Sequence, residues 1–289
     1  MIRTAAALIA TLLILPGASF QDDEKAEKER AKEEAKQKEN AAKAAIKAYW
    51  EARRNPKSAD VIIEAIQKLE DAEPHPLIRQ ELAKALSGEP SIDVRIAAAS
   101  ALGKFKKDNA ASDVLLQNAK SQKDEGLRKK CLQRYGAIAP FSRSKDLKSF
   151  FNDENNGIVK EAIEAIESIN SIRMLQPLIE LLGELEQIKE DKGDQGGGGP
   201  PLPGVPQGDS TNNQRIKRKR ELTEPVRKAV NALWKKYDSR TKLNDYTNAN
   251  SQFQRNKTFL MDLQKKEDLE EKGTKTEAAG DSKDNKDKK

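Results

Sequence analysis

Between Ala41 and Ile188, and again from Thr223 to Tyr237, the apolar positions recur every three or four residues, and no run alternates at period two between hairpin turns. The pattern predicts helices throughout. Ala42, Ala45, Ile46 and Tyr49 form the first stripe, and Asn55-Pro56 ends it because the residue before a proline is pushed out of the helical region. Ser58 or Asp60 then caps a helix whose inner face is Val61, Ala65, Ile66 and Leu69. After the turn Pro74-His75-Pro76 comes a stripe of Ile78, Leu82, Ala85 and Leu86, closed by Ser87-Gly88. The next stripe, Val94, Ala97, Ala98, Ala101 and Leu102, is nearly all alanine, which lets two helices approach to about 8 Å. Further stripes run over 109–119, 126–138, 144–151, 155–169 and 174–188.

Alternate stripes resemble one another. Second helices of successive hairpins are expected to start at Val61, Val94, Leu127 and Val159, at spacings of 33, 33 and 32 residues. A hairpin of that length cannot bury its own apolar face, so neighbours must stack into a continuous core. The copy Asp93-Val94-Arg95-Ile96-Ala97-Ala98-Ala99-Ser100-Ala101-Leu102-Gly103 resembles the second-helix pattern Asp-Val-Arg-x-x-Ala-x-x-Ala-Leu-Gly of short HEAT-type repeats. Looser copies run from Leu127-Arg128 to Tyr135-Gly136 and from Val159-Lys160 to Ile166. The resemblance implies an all-α solenoid of about four to five antiparallel helix hairpins. The first copy departs from the pattern, with Ile62 where the arginine belongs, and Glu167 occupies an expected apolar site. In that family the aspartate and arginine commonly link successive repeats. The resemblance therefore implies a stacking ladder of Asp93, Arg95, Arg128, Lys160 and Arg227. A basic stripe for an acidic ligand stays open beside it.

Composition changes the picture mainly at the ends. Charged residues are 35% of the chain, against roughly 25% in an average globular domain, so part of it is expected to stay solvated. Aromatics are only 4%, so the core must come from Ala, Ile, Leu and Val, which suits close-packed helices and argues against a sandwich or barrel. Residues 1–19 read as a signal peptide: Arg3, an apolar run from Ala5 to Leu15, then Gly17-Ala18-Ser19 before a cleavage point at Phe20. Export, to a periplasm or outside the cell, is the expectation, with no transmembrane segment left after cleavage; an uncleaved anchor is the alternative. Residues 20–40 form a charged helical arm carrying the i,i+4 pairs Glu24–Lys28 and Glu34–Lys38, with Glu39–Lys43 following. A solvated helix is expected there; a coiled coil is the alternative, although no heptad is sustained.

The repeats are assigned to 41–190. Residues 191–220 are a Gly/Pro-rich stretch expected to be disordered, ending in the basic cluster Arg215-Ile216-Lys217-Arg218-Lys219-Arg220. Residues 221–240 give the last repeat helix, capped by Thr223 with Pro225 near its first position. Residues 241–271 hold a C-terminal helix over Ser251 to Leu269, and 272–289 a disordered tail.

The inventory for chemistry is thin. His75 is the only histidine and sits between two prolines; Cys131 is the only cysteine and falls on an apolar repeat position, where burial is expected. A Cys–His pair, a histidine metal site and a Ser–His–Asp triad all need more, so no catalytic, cofactor-binding or metal-ligating residue is assigned. The net charge of +6 is a mild bias on so charged a chain, and nucleic acid is not the expected partner. The sequence thus reads as a non-catalytic exported scaffold for a protein or peptide partner. The alternative is an envelope-associated structural or adhesive protein gripping anionic polymer or lipid. Candidate partner-binding residues are Arg215, Lys217, Arg218, Lys219, Arg220 and Trp234.

Overall fold

The computed structural model describes residues 20–54, 58–188, 210–238 and 241–279. The expected signal peptide, the Asn55-Pro56 junction, most of the Gly/Pro-rich stretch and the last ten residues lie outside them. Among the described residues every regular element is a helix. They are α1 (Phe20–Arg54), α2 (Ala59–Asp71), α3 (Pro76–Gly88), α4 (Ile92–Leu102), α5 (Asn109–Ser121), α6 (Glu125–Ile138), α7 (Asn156–Ile169), α8 (Leu175–Gln187), α9 (Ser210–Lys235), α10 (Tyr246–Arg255) and α11 (Lys257–Ala279). Two 3₁₀ segments, Phe141–Phe150 and Ile172–Met174, complete the set.

These elements pair as hairpins: α1 with α2, α3 with α4, α5 with α6, the 141–150 segment with α7, and α8 with α9. The second helices α2, α4, α6, α7 and α9 then pack one on the next, more closely than the first helices do. An array tighter on one layer than the other must curve, so the second helices line the concave side. The chain is an all-α solenoid.

The second-helix caps set the register. Ser58, Ser91, Asp124 and Asn155 hold the N-cap positions, 33, 33 and 31 residues apart. The fourth copy therefore starts at Ile158 and not, as the sequence spacing predicts, at Val159. Burial agrees: Val94, Ala98, Ala99 and Leu102 correspond to Leu127, Cys131, Leu132 and Tyr135, and to Ile158, Ala162, Ile163 and Ile166, all of them buried. The slip by one residue moves Lys160 off the position that Arg95 and Arg128 hold in their repeats.

Small residues let the second helices close on each other. At Gly136 an added Cβ would lie 2.7 Å from the Cα of Ala165, so α6 and α7 meet backbone against backbone. Gly183 on α8 plays a similar part toward the ring of Tyr246 on α10, where a Cβ would sit 2.7 Å away. Cys131 is fully buried between such helices, and burial pushes its thiol up to about 12, which keeps it protonated and unreactive in the fold.

Four elements differ from expectation. The helix expected over 144–151 is the 3₁₀ segment 141–150, in which the Tyr135 hydroxyl draws the Arg143 carbonyl to 2.8 Å while the chain winds in the tighter i→i+3 pattern. Helix α9 starts at Ser210 and runs on through Pro225, so the basic cluster is helical rather than part of a loop and Thr223 lies inside the helix, donating to the Lys219 carbonyl, and is not its cap. The turns before the proline are fastened to the solenoid by Arg218 and Lys219, which offsets the missing proline N–H. The single C-terminal helix is two, α10 and α11, broken at Asn256. Finally, α11 continues past Lys272 to Ala279, into the segment expected to be a disordered tail.

Candidate partner-binding surface

An α-helix leaves its last carbonyls without intrahelical donors and carries partial negative charge at that end. In this solenoid the first helix of a hairpin ends beside the start of the second, and a cation from the second helix meets it. Arg95 on α4 donates from Nε to the Leu86 carbonyl in the last turn of α3, at 2.7 Å. Arg128 on α6 repeats the contact with the Ala119 carbonyl of α5, at 2.8 Å, and also pairs with Asp153 of the next repeat. The arginines of the repeat pattern thus close the first helices, and Arg128 adds a rung between repeats.

The other expected rungs lie elsewhere. Asp93 is exposed and makes no ion pair among the described residues. Because α7 begins one residue early, Val159 occupies the arginine's position and is buried, while Lys160 stands one step further round the helix. Arg227 pairs with Glu224 and, at 3.7 Å, with Glu186, tying α9 to α8.

The missing caps come from the basic cluster. Arg218 donates to the carbonyl of Phe151, which ends the 141–150 segment, and to the Asp153 carbonyl at 2.9 Å. Burial lowers its guanidinium below the ordinary arginine value, against the opposing pull of Asp153 and Glu184. Lys219 donates to the Ile188 carbonyl at the end of α8, at 2.8 Å. Two of the residues expected to hold a partner are therefore engaged within the fold. Arg215, Lys217 and Arg220 are exposed on α9. Trp234, the other candidate, is only 1% exposed and lies edge-on to Tyr237 with ring centroids 4.7 Å apart, so it belongs to the core and not to a partner surface.

Carboxylates outside the repeat pattern complete the connections. Asp108 takes Arg79 at 2.5 Å, and the buried Glu89 takes Arg53 at 2.5 Å with the Tyr49 hydroxyl at 3.0 Å. Nothing in the sequence separates these acids from the many solvated ones around them.

A cavity of about 890 Å³ is lined by Arg215 and Lys217, and a larger groove of about 950 Å³ lies at the C-terminal end of the concave side. One wall is α7, with Ile163, Glu164 and Glu167; the other is α9, with Lys228, Asn231 and Lys235. Asn231 fastens the 241–244 segment across the end by donating to the Leu243 carbonyl and accepting from the Leu243 N–H, both at 2.8 Å. Lys228 reaches Glu167 across the groove at 3.3 Å. Along α7 the acidic row continues to Glu161, whose carboxyl is held above its ordinary range by burial and by Glu164. The α7 wall is thus acidic, while the α9 wall is predominantly basic, with Glu224 beside Arg227 the acid on it. Among the described residues no group of histidine, cysteine or carboxylate side chains is arranged to hold a metal ion, and no helix is long and apolar enough to cross a membrane.

The HEAT repeats family matches residues 50–135, from the end of α1 to Tyr135 in α6. The hairpins beyond Tyr135 continue the same architecture. No curated protein matches the chain.

Proposed function

We propose that this HEAT-type repeat protein is an exported, non-catalytic scaffold that holds an extended segment of a partner protein in the groove between α7 and α9. The repeats supply a helical platform of the kind used for protein interaction. The observation that carries the finer reading is the pairing of an acidic wall, Glu164 and Glu167, with a basic wall, Lys228 and Lys235, across a groove of about 950 Å³. A volume of that order takes a few residues of extended chain, and opposed charges fix its direction by pairing with side chains of both signs. The signal-like pattern of residues 1–19 supports export. The anionic-polymer alternative has less to draw on, because Arg218 and Lys219 are bound to backbone carbonyls.

Peptide display against the immobilised wild-type chain tests the reading. Peptides enriched on the wild type are expected to lose at least about tenfold in affinity for Lys228→Glu/Lys235→Glu, equivalent to roughly 1.4 kcal/mol. Enrichment insensitive to that change, or none at all, would place binding elsewhere.

A further inference from the structure

At the opposite edge of the solenoid, where each second helix turns into the next first helix, α11 covers the turns at residues 141–142 and 171–172. Two glutamates four residues apart hold it there. Glu267 accepts from the Ser171 hydroxyl at 2.7 Å and from the Ile172 N–H at 2.9 Å. Glu271 accepts from the Ser142 hydroxyl at 2.7 Å and the Ser142 N–H at 2.9 Å. Both glutamates are only 9% exposed, although each belongs to a residue type almost never buried without a partner. Residues 141–142 and 171–172 are the same point in two successive repeats: the start of the 3₁₀ segment that forms the first helix, or in the later repeat leads into it. That end carries unpaired N–H groups and partial positive charge, which a carboxylate satisfies. Pro140, at the N-cap of the 141–150 segment, has no side chain able to do so, and Glu271 stands in for it. Arg173 adds a bond to Asp268, and Lys236 lies 3.9 Å from Glu267.

The apolar part of this contact is small. Of the large apolar side chains on α11, Leu260 is buried and Leu263 partly so, whereas Phe259, Met261 and Leu269 are 51%, 51% and 67% exposed. They are also the large apolar side chains left exposed among the described residues. A helix held mainly by polar contacts, the two carboxylates and the Arg173 pair with Asp268, with Leu260 its one buried large apolar side chain and Phe259 resting on the Tyr237 ring, and joined to the body through the break at Asn256, is a helix that can be exchanged for another.

We propose that this edge is a docking site for an acidic helix and that α11 is its resident, intramolecular occupant. The partner is a helix presenting two carboxylates four residues apart on one face, the spacing that matches the starts of two successive first helices. The inference is independent of the groove between α7 and α9.

The test uses the full chain, wild type and Glu267→Gln/Glu271→Gln, with a labelled peptide of residues 257–272 as probe. In the wild type the amides of Ser142 and Ile172 should exchange slowly and the peptide should not bind. In the double variant those amides should exchange at least about tenfold faster, and the peptide should bind saturably. A peptide with both glutamates changed to glutamine should not bind. Unchanged cooperative unfolding of the body, followed by circular dichroism, separates release of α11 from loss of the fold. Protection that survives the substitutions would show that the carboxylates do not hold α11. Release without peptide binding, or peptide binding to the wild type, would show that the edge is not a site that α11 occupies.

Discussion

Gly136→Val should be the most damaging single change in the second-helix layer, lowering stability by about 3 kcal/mol in urea unfolding. A Cβ at this position would lie 2.7 Å from the Ala165 Cα, 2.9 Å from its Cβ and 3.0 Å from its carbonyl oxygen. Two of those atoms are backbone, so nothing local can swing aside. Helices α6 and α7 must move apart, and Cys131, Leu132, Ile163 and Ile166 lose contact together. Overpacking of this kind costs roughly 1–3 kcal/mol, and the branched methyls of valine place it at the upper end. Gly103→Ala is the control. There the new Cβ meets the Arg134 side chain at 2.6 Å and the Ser100 carbonyl at 3.0 Å but no neighbouring helix backbone, and the cost should be smaller, about 1 kcal/mol.

The second large effect is expected at Arg128. Its side chain closes α5 through the Ala119 carbonyl and binds Asp153 across the repeat boundary, at 16% exposure for both partners. Arg128→Met keeps much of the stem packing but leaves a carbonyl and a mostly buried carboxylate without their cation. Hydrogen bonds to charged groups are worth about 1.5–3 kcal/mol, and stranding a buried charge adds to that. A loss of about 3 kcal/mol in urea unfolding is expected, with Arg128→Lys recovering only part because a lysine cannot serve both acceptors with the same fork. Loss of under about 0.5 kcal/mol, the range of ordinary surface substitutions, would mean that the contact is ornamental.

The fold was legible in the sequence because its cause is periodic. Stripes such as Val94, Ala98, Ala99 and Leu102 repeat wherever a second helix must bury one face, and the turn residues between them punctuate the pattern. The register was legible only as far as Leu127. The 31-residue step to Ile158 is hidden because Ile158 and Val159 are both apolar and both buried, so spacing alone fits either. Only the Asn155 cap, bonded to the Gly157 N–H at 2.8 Å, decides between them.

The candidate surface was less legible, for a different reason. Arg215 to Arg220 is one uniform basic run in sequence, yet helical geometry sends Arg218 and Lys219 against carbonyls of two successive repeats and leaves Arg215 and Lys217 in solvent. The expected ladder and the expected ligand cluster are parts of one device. Four cations, Arg95, Arg128, Arg218 and Lys219, each close the end of a first helix. Glu267 and Glu271 were invisible for the same reason that Asp108 and Glu89 were. None of the four falls on a position of the repeat pattern, and only the tertiary structure selects them.

Urea unfolding of two paired variants, Arg218→Met/Lys219→Met and Arg215→Met/Lys217→Met, tests this account most directly. The same number of charges is removed from the same stretch of α9 in each. If cations from the second helices close the first helices, the Arg218/Lys219 pair should lose about 3–4 kcal/mol and the Arg215/Lys217 pair less than about 0.5 kcal/mol. Equal losses, or no loss from the Arg218/Lys219 pair, would contradict it.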